Sequence, residues 1–167
     1  MLTKEKEDKI IRTGLVLFWW FFWLFNVLDK IFLKTNYPLV GNERMAQFVM
    51  YLSSIGIHET SVAYWLLFII SLSEIIALVF FTLALISLSH GKTKKAHTSM
   101  FYAIFVSLII FSFFAIADQI FEKYDYLFYH TLYWLAFVVS WFVYTKVECC
   151  EEKTKRPSIL RTTRIHP

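Results

Sequence analysis

The stretch that decides the fold is TSVAYWLLFIISLSEIIALVFFTLALISLS, from Thr60 to Ser89. A helix of about 20 apolar residues crosses the hydrocarbon core of a bilayer, so this run predicts a transmembrane helix. Its one charged side chain, Glu74, lies close to the middle. A charge near the bilayer midplane costs roughly 2.5 to 3.5 kcal/mol on insertion scales, and the carboxylate is therefore expected to face protein or a polar cavity.

Three further apolar stretches are long enough to span a membrane, at about 13–33, 98–121 and 126–145. Hydrophobic residues make up 57% of the chain and charged residues 18%. A soluble domain of 167 residues could not bury so much apolar surface. We therefore predict an all-α, polytopic membrane protein, with a four-helix bundle in residues 1–147 and no room for a soluble catalytic domain.

A shorter amphipathic segment separates the first two predicted spans. The sequence ERMAQFVMYLSSIGI, residues 43–57, places its large apolar side chains at helical spacing on one face. Because it is too short to span, we expect it to lie at the outer membrane interface as a helix that caps the bundle.

Basic residues indicate how the bundle is oriented. Thirteen of the 17 Lys and Arg flank the side that carries both termini, and four flank the other side. By the positive-inside rule, this asymmetry predicts cytoplasmic termini in a multi-pass protein of the cell membrane. Attraction of juxtamembrane lysines to anionic lipid accounts for the net charge of +4 without a nucleic-acid partner. Residues 148–167 are expected to form a basic cytoplasmic tail that is disordered on its own.

The first span carries an unusual aromatic run, FWWFFWLF, from Phe18 to Phe25. These bulky rings cover every face of the predicted helix. Close crossing of membrane helices favours Gly, Ala and Ser. We therefore expect this aromatic belt to pack against lipid or a neighbouring subunit.

Glu74 is the first candidate for a functional side chain. Ser71, Glu74 and Ala77 recur every three residues and form a narrow small or polar stripe suited to an inward face. One interpretation is a protonatable group or hydrogen-bond acceptor for a quinone or another ligand. The other is a neutral or paired carboxylate that only stabilises the bundle.

Polar residues also meet at the predicted outer ends of the helices. Imidazole and carboxylate ligands suit Zn, Fe, Cu or Mn, so a metal site is one interpretation, although no HExxH spacing is present. The other interpretation is a solvated rim with one or two salt bridges. The five residues are His58, Glu59, Asp118, Glu122 and His130. Asp29, near the end of the first span, is expected to turn towards the bundle and to lie at the same depth as Asp118.

The order of features from Met45 to Leu88 resembles the DoxX-like family of small four-helix membrane proteins. In that family a phenylalanine-containing segment ends in a Leu-Gly-aliphatic turn and leads into a helix with a central Glu. Phe48, Gly56 and Glu74 match this order, as do Arg12 and Lys30 around the first helix. The resemblance implies a role beside respiratory or sulfur-oxidising enzymes, including membrane subunits of a thiosulfate:quinone oxidoreductase.

These observations support two expectations about function. The leading one is an integral membrane accessory subunit of a larger, redox, membrane-bound enzyme complex, whose partners are other membrane subunits and lipids. The alternative is a quinone-linked oxidoreductase subunit in which Glu74 accepts or donates a proton within the membrane. In either case we expect no cofactor of the chain's own, and quinone or lipid rather than metal as the bound molecule.

Overall fold

The computed structural model describes residues 3–31 and 44–155, which form five α-helices and, within these ranges, no strand. The helices are α1 (Lys4–Ile31), α2 (Arg44–Ser54), α3 (Thr60–Ser89), α4 (Thr93–Ile120) and α5 (Tyr124–Lys155). Four of them, all except α2, are long and apolar enough to span a membrane. The predicted all-α four-span fold is confirmed.

The helix ends differ from the prediction at both ends of the chain. Helix α1 begins at Lys4 rather than 13, and α5 continues to Lys155, into the segment expected to be a disordered tail. Both extensions are rich in Lys and Glu, which favour helix, and neither contains Pro or Gly, so the helix continues past the apolar run. The predicted ends at 32–33 and 43, and the tail from 156, lie outside the described residues.

The four long helices form a ring. Helix α3 packs against α4 and α1, and α5 packs against the other side of the same two helices. In the described part of the chain, α1 and α4 thus face one another across the bundle. Helix α2 packs on α3.

The buried residues of α3 form one stripe on its inward face, which we call the inward seam, and their spacing is that of a helix-packing interface. These residues follow at intervals of three, four or seven, the period at which one helix keeps a stripe against another. They are Ala63, Leu67, Glu74, Ala77, Phe81, Ala84 and Leu88. The alanines bring the neighbouring backbones close, as small residues do in membrane bundles.

Helix α1 is joined to each of the other three spanning helices by an indole hydrogen bond. Trp19 Nε1 donates to Ser140 Oγ of α5 at 2.9 Å, and Trp20 Nε1 donates to Thr82 Oγ1 of α3 at 2.8 Å. Trp23 Nε1 reaches across the bundle to Ser107 Oγ of α4 at 3.0 Å.

Two of the three acceptor hydroxyls are themselves held in place. Thr82 and Ser107 donate to the carbonyl oxygens four residues earlier in their own helices, at 2.8 Å and 2.7 Å. A hydroxyl whose proton is used in this way presents its lone pairs outward, so it is set to accept from an indole. We call the three indole bonds the tryptophan ladder.

The prediction that the aromatic run of α1 faces lipid or a neighbour is wrong for two of its eight residues. Trp19 and Trp23 are almost completely buried, and Trp19 stacks on Phe137 with ring centroids 3.7 Å apart. Phe18 and Phe21 point outward and are exposed. These tryptophans turn inward and these phenylalanines outward because a Trp side chain in apolar surroundings needs a hydrogen-bond partner for its N–H, whereas a Phe side chain does not.

We expect the Trp23–Ser107 bond to contribute measurably to stability. Interhelical hydrogen bonds in a membrane protein average about 0.6 kcal/mol in double-mutant cycles, with a maximum near 1.7. Trp23→Phe, Ser107→Ala and the double variant, unfolded in mixed micelles, should show a coupling free energy in this range.

Trp65→Phe on α3 is the matched control, because that indole is exposed. It should change the free energy of unfolding by less than about 0.5 kcal/mol. Additive effects of Trp23→Phe and Ser107→Ala would show that the bond contributes nothing.

Candidate functional site

Glu74 lies completely inside the bundle, with 0% of its side chain exposed. It belongs to the inward seam of α3, next to Ala77, one turn along the helix. Ser71, the other predicted site residue, is only half-buried. The sequence expectation of an inward carboxylate is thus met, whereas the hydroxyl lies at the edge of the stripe.

Asp118 of α4 and His130 of α5 form an ion pair or hydrogen bond between Oδ2 and Nδ1. The imidazole is held between aromatic rings, with centroids 5.0 Å from Phe114 and 5.8 Å from Phe111. Asp118 is buried although it lies only two residues from the end of its helix. The pair closes the hairpin between the two helices.

The buried carboxylates of the bundle all lie on one side of the tryptophan ladder. At ~1.5 Å rise per residue, Asp29 lies ~9 Å beyond Trp23 along α1, and Glu74 lies ~12 Å beyond Thr82 along α3. Asp118 lies ~17 Å beyond Ser107 along its own helix. All three carboxylates are buried on the α2 side of the tryptophan ladder. We call this region the acidic half of the bundle. The predicted inward turn of Asp29 is confirmed.

The predicted metal cluster does not assemble as five side chains. His58, Glu59 and Glu122 are exposed, whereas Asp118 is buried, so only Asp118 and His130 are brought together. Among the described residues, no group of three or more His, Cys, Asp or Glu side chains could hold a metal ion. Glu122 is drawn away because it has φ of 55° in the tight turn between α4 and α5.

Helix α2 contacts the turn that follows α4. Tyr51 stacks on Phe121 with centroids 5.5 Å apart, and the Lys123 ammonium lies 5.6 Å from the centre of the same tyrosine ring. The Tyr51 hydroxyl accepts a hydrogen bond from Gln47 at 2.8 Å. Gly56 ends this unit with φ of 84°, a conformation that favours glycine.

The opposite end of the interior carries a cation. Arg12 of α1 is buried, and its guanidinium lies 6.0 Å from the centre of the Tyr144 ring on α5. Trp141 stacks beside that tyrosine, and the His97 ring lies 5.1 Å from Trp141. The bundle interior is therefore polarised, with Arg12 at one end and three carboxylates at the other.

The outward surface of α5 is the most exposed of the spanning helices. Only 6% of its apolar window is buried, against 22% to 33% for the other three. Five of its eleven large exposed hydrophobic residues form a row at spacings of four, three, four and three residues. The row consists of Phe128, Leu132, Leu135, Val139 and Phe142, and we call it the α5 row.

A shallow groove of about 380 Å³ lies between α4 and α5. Its wall is almost entirely apolar, with one hydroxyl and one indole. The lining residues are Phe105, Leu108, Ile109, Ser112, Phe113, Ile116 and Trp134.

Comparisons of this chain with protein-family models, with curated proteins and with solved structures find no match.

Two elements of this interior do not follow from composition and hydropathy. The charge asymmetry places Arg12 among the basic residues that flank the first span, and hydrophobicity places the tryptophans in one aromatic belt. The signal was present in the spacing, since Arg12, Val16, Trp19 and Trp23 fall on one helical face. All four are buried.

Proposed function

We propose that the chain is an integral membrane accessory subunit of a larger membrane-bound enzyme complex. The observation that carries this proposal is the exposure of α5, of whose apolar window only 6% is buried, together with the α5 row. A 4-3-4-3 spacing of large apolar side chains is the pattern by which one helix packs into another. Here the row lies on the outside of the bundle, where a helix of a partner protein can use it.

Aromatic residues around the row favour a protein partner over lipid alone. Tyr129 and Trp134 flank it and are exposed. Tyr and Trp are enriched at protein interfaces, because they combine a large apolar surface with one hydrogen-bond donor. Lipid tails offer no acceptor for such donors, whereas a partner helix does.

The class of complex is part of the proposal and rests on the sequence. The resemblance to the DoxX-like family, through Arg12, Phe48, Gly56 and Glu74, favours a redox enzyme as the partner. The excess of basic residues around the chain termini favours cytoplasmic termini and the cell membrane. In this account the chain stabilises its partner by covering apolar helix surface and shielding it from lipid.

The α5 row should be needed for co-migration with larger proteins on native gels after mild-detergent solubilisation. We expect the triple variant Phe128→Ala, Leu135→Ala, Phe142→Ala to reduce the co-migrating fraction at least tenfold, because it removes three side chains that fill the interface.

The matched control is Phe68→Ala, Leu72→Ala, Val79→Ala on α3, which removes similarly exposed apolar side chains from another surface. It should leave co-migration unchanged. A wild-type chain found only as a free monomer or small homo-oligomer, or equal effects of the two triple variants, would overturn the proposal.

The complete burial of Glu74 favours a second candidate function. A carboxylate enclosed in a membrane bundle is a candidate proton acceptor or donor, and the neutral acid can also hydrogen-bond a quinone carbonyl. In this alternative the chain is a quinone-linked oxidoreductase subunit, and a redox partner supplies the electrons.

Titration of the purified chain with decylubiquinone tests this alternative. Glu74→Leu removes the hydrogen-bonding group of the side chain, and we expect it to weaken quinone binding at least tenfold. Ser73→Ala on the same helix is the control and should bind as the wild type does, since its hydroxyl bonds only to its own helix. Unchanged affinity in Glu74→Leu would remove this residue from quinone binding.

A further inference from the structure

The exposed face of α4 has lysines at its first turn and two stacked phenylalanines further along, Phe101 and Phe105, which we call the apolar column. Lys94 and Lys95 are exposed in its first turn, and Phe101 and Phe105 follow at helical spacing on the face of Lys94, with Lys95 about 100° around the helix from Lys94. Their two rings stack with centroids 6.1 Å apart. The column leads into the groove between α4 and α5, whose near end is lined by Phe105, Leu108 and Ile109.

The turn between α3 and α4, with the adjoining parts of the helices on either side of it, has a strongly one-sided charge. The segment 75–117 contains three lysines and no Asp or Glu. Lys92, Lys94 and Lys95 are all exposed where α3 turns into α4. A juxtamembrane lysine contributes about 1 kcal/mol to attraction towards an anionic lipid surface, which is a factor of about five in binding.

Dimensions along α4 match one leaflet of a bilayer. Half of a membrane, headgroups included, is ~20–22 Å thick. At ~1.5 Å per residue, Ile109 lies ~21 Å from Lys95. A lipid whose phosphate lies on Lys94 and Lys95 would therefore place the end of its acyl chain at the near end of the groove.

We propose that this face is a binding site for an anionic phospholipid. The headgroup phosphate is bound by Lys94 and Lys95, and one acyl chain follows Phe101 and Phe105 into the groove. Trp141 of α5 forms the side wall, since its ring centroid is 5.6 Å from that of Phe101. This site adjoins the α5 row at Trp134, but the headgroup and the acyl chain are held by residues of α4. The inference stands independently of the proposed subunit role.

Brominated lipids test the proposal through tryptophan fluorescence. The full chain in neutral-detergent micelles is titrated with phosphatidylglycerol or phosphatidylcholine, each carrying 9,10-dibrominated acyl chains. Mid-chain bromines of a lipid in this site would lie near Trp141. Phosphatidylglycerol should therefore quench tryptophan fluorescence at a lower mole fraction than phosphatidylcholine does. We expect Trp141→Phe to lose this headgroup-specific quenching.

Charge-matched variants distinguish a lipid-binding site from general electrostatic attraction of anionic lipid to the protein. Lys94→Gln, Lys95→Gln should lower the preference for phosphatidylglycerol by about fivefold for each lysine. Lys4→Gln, Lys6→Gln removes the same charge from exposed positions of α1 and should retain the preference.

Three results would overturn the proposal. Equal losses in the two double variants would indicate general attraction without a site. Specific quenching that persists in Trp141→Phe would place the lipid elsewhere. Equal quenching by the two wild-type titrations would mean that the face does not select an anionic headgroup and is covered by neutral lipid or by protein.

Discussion

An indole N–H inside a lipid bilayer has no water to bond, and the architecture of this protein follows from that constraint. Each unsatisfied polar group in hydrocarbon costs several kcal/mol. Trp19, Trp20 and Trp23 meet the constraint by donating to hydroxyls on α5, α3 and α4 respectively. Because the hydroxyls lie on three different helices, one short segment of α1 fixes the relative height of all four spans.

The tryptophan ladder also divides the interior into two electrostatic regions. Aromatic rings fill the middle of the bundle, where Trp23, Phe111 and Phe137 are in contact. On one side of this layer lies Arg12, and on the other lie Asp29, Glu74 and Asp118. The tryptophan ladder therefore lies between the buried cation and the three buried carboxylates.

Sequence patterns predict the helices of this structure, but they do not predict which aromatic side chains of α1 turn inward. The four spans and the amphipathic α2 follow from hydropathy and spacing, because bilayer thickness fixes helix length. The inward position of Glu74 follows from the cost of exposing a charge to lipid. The belt from Phe18 to Phe25 could not be sorted by hydrophobicity, since Phe and Trp are both apolar. What separates them is the indole N–H, and its acceptors lie 62 to 121 residues away in sequence.

The outer polar residues illustrate a second limit. A sequence gives approximate depth but not direction, so His58, Glu59, Asp118, Glu122 and His130 could be placed at one level and still point to different sides. Side-chain direction depends on local turns, and the left-handed conformation of Glu122 is one that few non-glycine residues adopt. The pair that does form, Asp118 with His130, joins two adjacent helices through a short connection, the simplest case for a contact to be specified locally.

Hydrogen–deuterium exchange of the indole N–H groups, resolved by nuclear magnetic resonance in micelles, tests the central claim most directly. The tryptophan ladder predicts that the indoles of Trp19, Trp20 and Trp23 exchange slowest and at a common rate, because all three are released only when the helices separate. Trp65, exposed on α3, should exchange faster. Exchange of the α1 indoles as fast as that of Trp65, or at three unrelated rates, would contradict the claim that these bonds hold the four helices together.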